Sequence, residues 1–252
     1  MKRKLLLIGT SILLLILLAA GGFIVWASGA SGPMPEAVQA LESTSAVRVE
    51  AKPWLIFTPV GQEPTMGFIF YPGGKVDPRS YAPMAQAIAE QGYLVVIPPM
   101  PLNLAVLSPG EAADVIKAFP EIETWVVGGH SLGGAMAANY ARKHPDQISG
   151  MVLLAAYPAN SDDLSQSDLE VLSMYGTNDQ VADYAKIEAS KALLPSDSQF
   201  LPIEGGNHAG FGWYGPQSGD GEATISREEQ QAQVVQAIME FLRNFVAKNS
   251  LS

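Results

Sequence analysis

Cysteine is absent from the 252-residue chain. That excludes disulfide scaffolds, thiolate zinc sites, a thiol nucleophile and a lipid-modified Cys near the N-terminus. Charge is sparse as well: 16% of residues are charged, and 15 Lys and Arg face 25 Asp and Glu for a net −10. A nucleic-acid binder would show a basic balance instead. With 48% hydrophobic residues, the chain is too apolar and too weakly charged to be disordered. Histidine is scarce, with three in all, so a general base has few candidates: His130, His144 and His208. At about 150 residues per domain the length allows one or two domains.

The N-terminus departs from the average. Lys2, Arg3 and Lys4 precede an uncharged stretch over 5–26, LLLIGTSILLLILLAAGGFIVW. As a helix it would reach roughly 33 Å, enough to cross a bilayer once. The basic residues should stay cytoplasmic, placing everything after Trp26 outside. The run is longer than the h-region of about 7–15 residues in a signal peptide. That favours an uncleaved anchor in residues 1–26. Ala27-Ser28-Gly29-Ala30 nevertheless offers a cleavage site, and a secreted product stays the alternative. Without the three leading basics, 12 Lys and Arg face 25 Asp and Glu, so the exported part is near −13.

Residues 27–45, rich in Ser, Gly, Ala and Pro, read as a linker with a short helical turn over 35–41. From residue 46 to 252 short apolar runs alternate with helix-period stretches. Strands are expected over 47–51, 54–59, 66–71, 93–97, 124–127, 151–155, 171–175 and 199–203, the first two as an edge pair. Helices are expected over 81–91, 109–119, 132–143, 181–194 and 226–247, the last opened by a Ser226/Glu229 capping box. Near-continuous apolar strands separated by helices imply an α/β domain. Its sheet has eight strands, mostly parallel, with helices on both faces.

Gly129-His130-Ser131-Leu132-Gly133 is a G-x-S-x-G between an expected strand and helix. There a tight turn exposes the Ser hydroxyl and sets it beside a helix N-terminus. Of the three His, His130 should point the wrong way from the turn, and His144 should cap the helix end. His208, in Gly205-Gly206-Asn207-His208-Ala209-Gly210, follows a strand and shares the C-terminal rim with Ser131. Asp179 follows the preceding strand at the same rim. Asp162, Asp163 and Asp183 compete with it for the acid, and a plain helix N-cap is its bland role. Amides of Leu132 and Gly74, or Lys75 in place of Gly74, would hold an oxyanion, since Tyr71-Pro72-Gly73-Gly74-Lys75 occupies the donor loop.

With these residues in order, the chain resembles the α/β-hydrolase superfamily, in its compact dienelactone-hydrolase-like branch, over about 66–247. The resemblance implies the α/β-hydrolase fold and a serine hydrolase of esters and related acyl compounds, without cofactor. Two departures stand out: the donor loop lacks the familiar His-Gly start, and Ser131 replaces the Cys of true dienelactone hydrolases. Only a short polar interval, 158–170, precedes the acid strand, so no cap domain and a rather open site are expected. Phe211, Trp213 and Tyr214 in the long segment 209–225 are candidates for pocket walls. Gly219-Asp220-Gly221-Glu222 has too few ligands for a calcium loop, and no metal is assigned. The expected function is a membrane-anchored esterase acting outside the cytoplasm on a small acyl ester. An acyltransferase with the same residues, or a non-catalytic module retaining the fold, are the alternatives.

Overall fold

The computed structural model describes residues 2–249, apart from the side chains of residues 2–10, Ala20, Ser28 and 246–249. Eight strands form one sheet: β1 (Val47–Glu50), β2 (Leu55–Pro59), β3 (Met66–Tyr71), β4 (Leu94–Ile97), β5 (Thr124–His130), β6 (Gly150–Leu154), β7 (Glu170–Gly176) and β8 (Gln199–Ile203). Their spatial order is β1-β2-β4-β3-β5-β6-β7-β8. Only β2 runs against its neighbours; the pairs from β4 to β8 are parallel.

The helices are α1 (Lys2–Ser28), α2 (Pro35–Gln39), α3 (Ala82–Ala89), α4 (Glu111–Ala118), α5 (Leu132–Lys143), α6 (Tyr184–Ser190) and α7 (Arg227–Asn249). Side chains alternate along β3 between two cores. Phe68 and Phe70 pack with Met84 and Ile88 of α3 and with Val234, Ile238 and Phe241 of α7. Ile69 and Tyr71 face Val115 of α4 and Ala137, Ala138 and Ala141 of α5. Both faces are thus covered, which is why the strands read as continuous apolar runs.

Connectivity reverses at β3. The chain leaves β3 for β4 on one side and returns through α4 to β5 on the other. The crevice outside the C-terminal ends of β3 and β5 is the place where such sheets bind ligands. Tyr71 and Gly129 are register partners at that end.

Several local expectations meet their reasons here. The capping box of α7 forms, with Glu229 N–H on Ser226 Oγ at 3.1 Å and Ser226 N–H on the Glu229 carboxylate at 2.8 Å. The helix expected over 181–194 is shorter, because Asp183 caps it by accepting the Ala185 N–H at 2.9 Å, and it ends in a 3₁₀ turn, Lys191–Leu193. Between β6 and β7 no helix or strand intervenes among the described residues. At the N-terminus, α1 is a 27-residue helix, yet among the described residues no helix is long and apolar enough to cross a membrane. The span expected over 5–26 runs in part into side chains outside the described set.

The approach of α5 to the end of β3 is tight. A Cβ on Gly133 would stand 2.1 Å from the Tyr71 carbonyl oxygen and 2.3 Å from that of Pro72. Gly133→Ala is therefore expected to cost about 1–3 kcal/mol of stability through forced backbone shifts. A lowered denaturant midpoint with retained helical circular dichroism would report it; an unchanged midpoint would contradict the packing argument.

Candidate active site

Ser131 stands between β5 and α5 at φ 53°, ψ −122°. A non-glycine residue in such a region costs about 1–3 kcal/mol and persists only where its surroundings hold it. They do so here: Ser131 N–H donates to Leu154 O at 2.9 Å, tying the turn to the end of β6. Gly129 lets the turn close, since a Cβ there would meet Gly133 C at 2.5 Å. Ser131 and Leu132 remain half-buried, open to solvent.

His208 and Asp179 meet. His208 Nδ1 lies 2.8 Å from Asp179 Oδ2, and the two side chains are 1% and 2% exposed. A carboxylate accepts only, so Nδ1 carries a proton, and in the neutral ring that tautomer puts the lone pair on Nε2. The second Asp179 oxygen accepts the N–H groups of Val181 and Ala182, each at 2.8 Å, which fixes the carboxylate. Of the competing acids, Asp183 caps α6 and Asp162 accepts from Asn139 Nδ2 at 2.9 Å.

The His208 loop is clamped by residues that sequence reasoning passed over. Asp220 accepts the N–H groups of His208 at 3.2 Å and Ala209 at 2.8 Å. Gln230 of α7 makes a two-way amide pair with Asn207, at 3.0 and 2.8 Å, and Gln231 donates to Gly210 O at 2.7 Å. Arg227 donates to the carbonyls of Ala209, Gly212 and Gly215. The available signal was a Gln-Gln pair on the inward face of an amphipathic helix.

Amide geometry separates the two donor-loop candidates. Lys75 N–H donates to Asn103 O at 2.8 Å, so Lys75 is not a free donor. Gly73 N–H is engaged by Tyr81 Oη at 3.0 Å. Gly74 N–H has no acceptor among the described residues, and Gly74 abuts Leu132: a Cβ on it would lie 3.1 Å from Leu132 Cδ2. Leu132 opens α5, where the first amides lack intrahelical partners and the dipole is positive.

His130 does not simply point away. Its ring is fully buried, with its centroid 4.4 Å from that of His208. Tyr81 Oη, having accepted the Gly73 N–H, is free to donate to His130 Nδ1 at 2.9 Å. That leaves the proton of a neutral ring on Nε2, which is buried near His208 without a hydrogen bond of normal geometry. Burial, and then the neighbouring His208, hold the His130 pKa well below the usual 6.5. His144 ends α5 and stacks on Tyr140 with ring centroids 4.4 Å apart, a structural position.

The aromatic pocket candidates are placed differently from the sequence expectation. Phe211, Trp213 and Tyr214 are buried. Phe211 and Tyr214 pack behind His130, with centroids 5.8 and 6.2 Å from its ring, so they back the site rather than wall an open pocket. Apolar burial won over exposure on this segment, whose main chain is pinned by Arg227 and Asp220.

A model of the alpha/beta hydrolase family matches residues 67–232. Among solved structures, a CIB-like hydrolase from Thermoplasma acidophilum is similar with a TM-score of 0.58 at 18% identity, over 79% of this chain and 99% of that one. The esterase domain of a Rhodothermus marinus protein gives 0.59 at 15% identity, over 76% and 92%. Est1E from Butyrivibrio proteoclasticus, with ferulic acid bound, gives 0.60 at 13% identity, over 79% and 98%. At these identities the likeness is one of fold. No curated protein sequence matches the chain.

Two outcomes are expected from this geometry. Because His130 stays neutral when folded but protonates when unfolded, the unfolded state binds an extra proton below about pH 6.5. Stability then falls as pH drops, by up to about 1.4 kcal/mol per unit, and this contribution is flat above that pH. Denaturant midpoints from pH 6.5 to 5 should fall more steeply for the wild type than for His130→Gln; parallel profiles would refute the assignment. Separately, Asp220→Ala leaves two loop amides without their acceptor, at a cost of about 1–3 kcal/mol. Its melting temperature should drop while the sheet stays intact, and no drop would show that the clamp is idle.

Proposed function

Because the chain belongs to the alpha/beta hydrolase family, we propose that it is a serine hydrolase cleaving carboxylic esters, or related acyl bonds, through Ser131, His208 and Asp179. The observation that carries the reading is the buried 2.8 Å contact between His208 Nδ1 and Asp179, at the rim where Ser131 is held in a strained turn. Buried charge-assisted pairs of this kind orient an imidazole and stabilise it once protonated.

In this scheme His208 Nε2 takes the Ser131 proton as Oγ attacks the acyl carbonyl. The carbonyl oxygen gains the charge and is held by the amides of Leu132 and Gly74, each such donor being worth about 2.7–4 kcal/mol in the transition state. His208 returns the proton to the leaving alcohol, whose C–O bond breaks to give the acyl-Ser131 ester. A water, deprotonated by His208, attacks that ester and releases the acid. Esters are the bond of choice because the site is half-open, and esterases are among the solved structures that share the fold.

The same reading places the enzyme on a membrane, with α1 as anchor and the hydrolase domain outside. Its support is Lys2-Arg3-Lys4 followed by an uncharged stretch. The consecutive side chains Ile12 to Leu18 add to it, being 53–65% exposed all around the helix.

Ser131→Ala tests the chemistry. Labelling by a fluorophosphonate probe should vanish and hydrolysis of p-nitrophenyl acetate should fall by about 10⁴-fold or more, with the melting temperature near that of the wild type. Undiminished labelling would overturn the assignment.

A further inference from the structure

The segment after α1 has the composition of a flexible linker, yet its main chain is engaged. Ser31 N–H donates to Lys75 O at 2.8 Å, and Asp77 N–H donates to Ser31 O at 3.0 Å, so that Ser31 pairs with Val76 as a parallel bridge. Before it, Ala27 is fully buried and the Trp26 ring lies 4.5 Å from Lys75 Nζ. Beyond it, Met34 N–H donates to Trp213 O at 2.8 Å, and Trp213 N–H in turn to Ser80 O at 2.8 Å. Residues 26–34 therefore run across the rim, from the loop after β3 to the segment that follows His208.

The loop they grip is the one that carries the Gly74 amide. From Gly73 to Asp77, the other amides are all engaged: Gly73 by Tyr81, Lys75 by Asn103, Val76 by Gly73 and Asp77 by Ser31. Lys75 sits at φ 60°, a left-handed conformation that a side chain with a Cβ leaves unless its neighbours hold it. Its N–H is held from the domain side by Asn103 and its carbonyl from the other side by Ser31. Together these bonds fix the loop in which Gly74 abuts Leu132 with its own N–H unclaimed among the described residues.

We infer that residues 26–34 are a strap that completes the oxyanion loop, with Ser31 as a positioning residue acting through its main chain on Gly74. The inference rests on the esterase reading for its catalytic consequence, while its structural claim stands on the loop alone. A chain cut beyond Met34 would keep Ser131, Asp179 and His208 and lose the ordered donor. Tethering and catalysis would then be one device, active only while the strap is seated.

The test compares full-length Ser31→Pro, which removes the N–H but not the carbonyl, with Ser31→Ala, which keeps both, in detergent solution. For p-nitrophenyl acetate, kcat per fluorophosphonate-reactive site should fall about 10- to 100-fold in Ser31→Pro, part of the 10²–10³ that removal of a whole donor costs. KM should stay within about twofold, inhibition by a trifluoromethyl ketone should weaken in step with kcat, and Ser31→Ala should match the wild type. Equal kcat per reactive site in the two variants would overturn the proposal, even if fewer molecules of Ser31→Pro were folded. Amide exchange over 73–77 gives a readout independent of activity, expected to be faster in Ser31→Pro than in Ser31→Ala. If the wild type neither labels nor turns over, the esterase reading fails, and exchange alone decides the strap: equal rates would overturn it.

Discussion

The N-terminus of α5 sits against the end of β3 only because Gly133 has no side chain, and the rest of the site depends on that contact. With the carbonyls of Tyr71 and Pro72 where a Cβ would be, the turn between β5 and α5 has little freedom, and Ser131 is driven into positive φ. The same contact brings the first amides of α5 beside Gly74 on the next loop. Main-chain close approach thus sets Ser131 and the amides of Leu132 and Gly74 together. Strain at Ser131 is the local cost of that arrangement, and it is offset by the two packed cores that hold β3, β5 and α5 in register.

Around this contact the protein buries more polar atoms than a stability argument alone would favour. Tyr81 Oη, the Gly73 amide and His130 form a chain inside the core, and among the described residues Ser80 Oγ, His130 Nε2 and Trp213 Nε1 are buried without a hydrogen bond of normal geometry. Each such atom opposes folding. Their position explains their retention: Ser80 and Trp213 are neighbours through a main-chain bond, and His130 lies under His208. The chain from Gly73 to His130 thereby links the loop after β3 to the ring of His208 through rigid rings.

Much of this was legible in the sequence. Ser131, Asp179 and His208 each follow a parallel strand, and parallel strands end on a common rim, so linear order alone brought them to one edge. What escaped has a physical reason. Choosing Gly74 over Lys75 requires knowing that Lys75 N–H meets Asn103 O, a contact remote in sequence. Gln230 and Gln231 share a helix face with Val234 and Ile238, but only once α7 is docked do their amides meet Asn207 and Gly210. Phe211, Trp213 and Tyr214 announce an apolar segment but not its direction. Residues 27–34 engage through main-chain groups, which every residue except Pro carries in full, so no side-chain pattern could reveal them.

The two halves of the rim are held from opposite ends of the chain. Loop 73–77 is gripped by the segment leaving α1, whereas the His208 loop is gripped by α7 and Asp220. Trp213 joins the halves, accepting from Met34 and donating to Ser80. Local opening of these end segments, ordinarily the least costly motion a domain makes, would here reach both loops directly. Fraying of the segment leaving α1 would loosen loop 73–77, and fraying of α7 would loosen the loop of His208. The sheet bearing Ser131 is the part least exposed to such motion, since β5 is paired on both edges by β3 and β6. The placement of Ser131 is therefore a property of the core, while that of the loops around it depends on α7 and on the segment leaving α1.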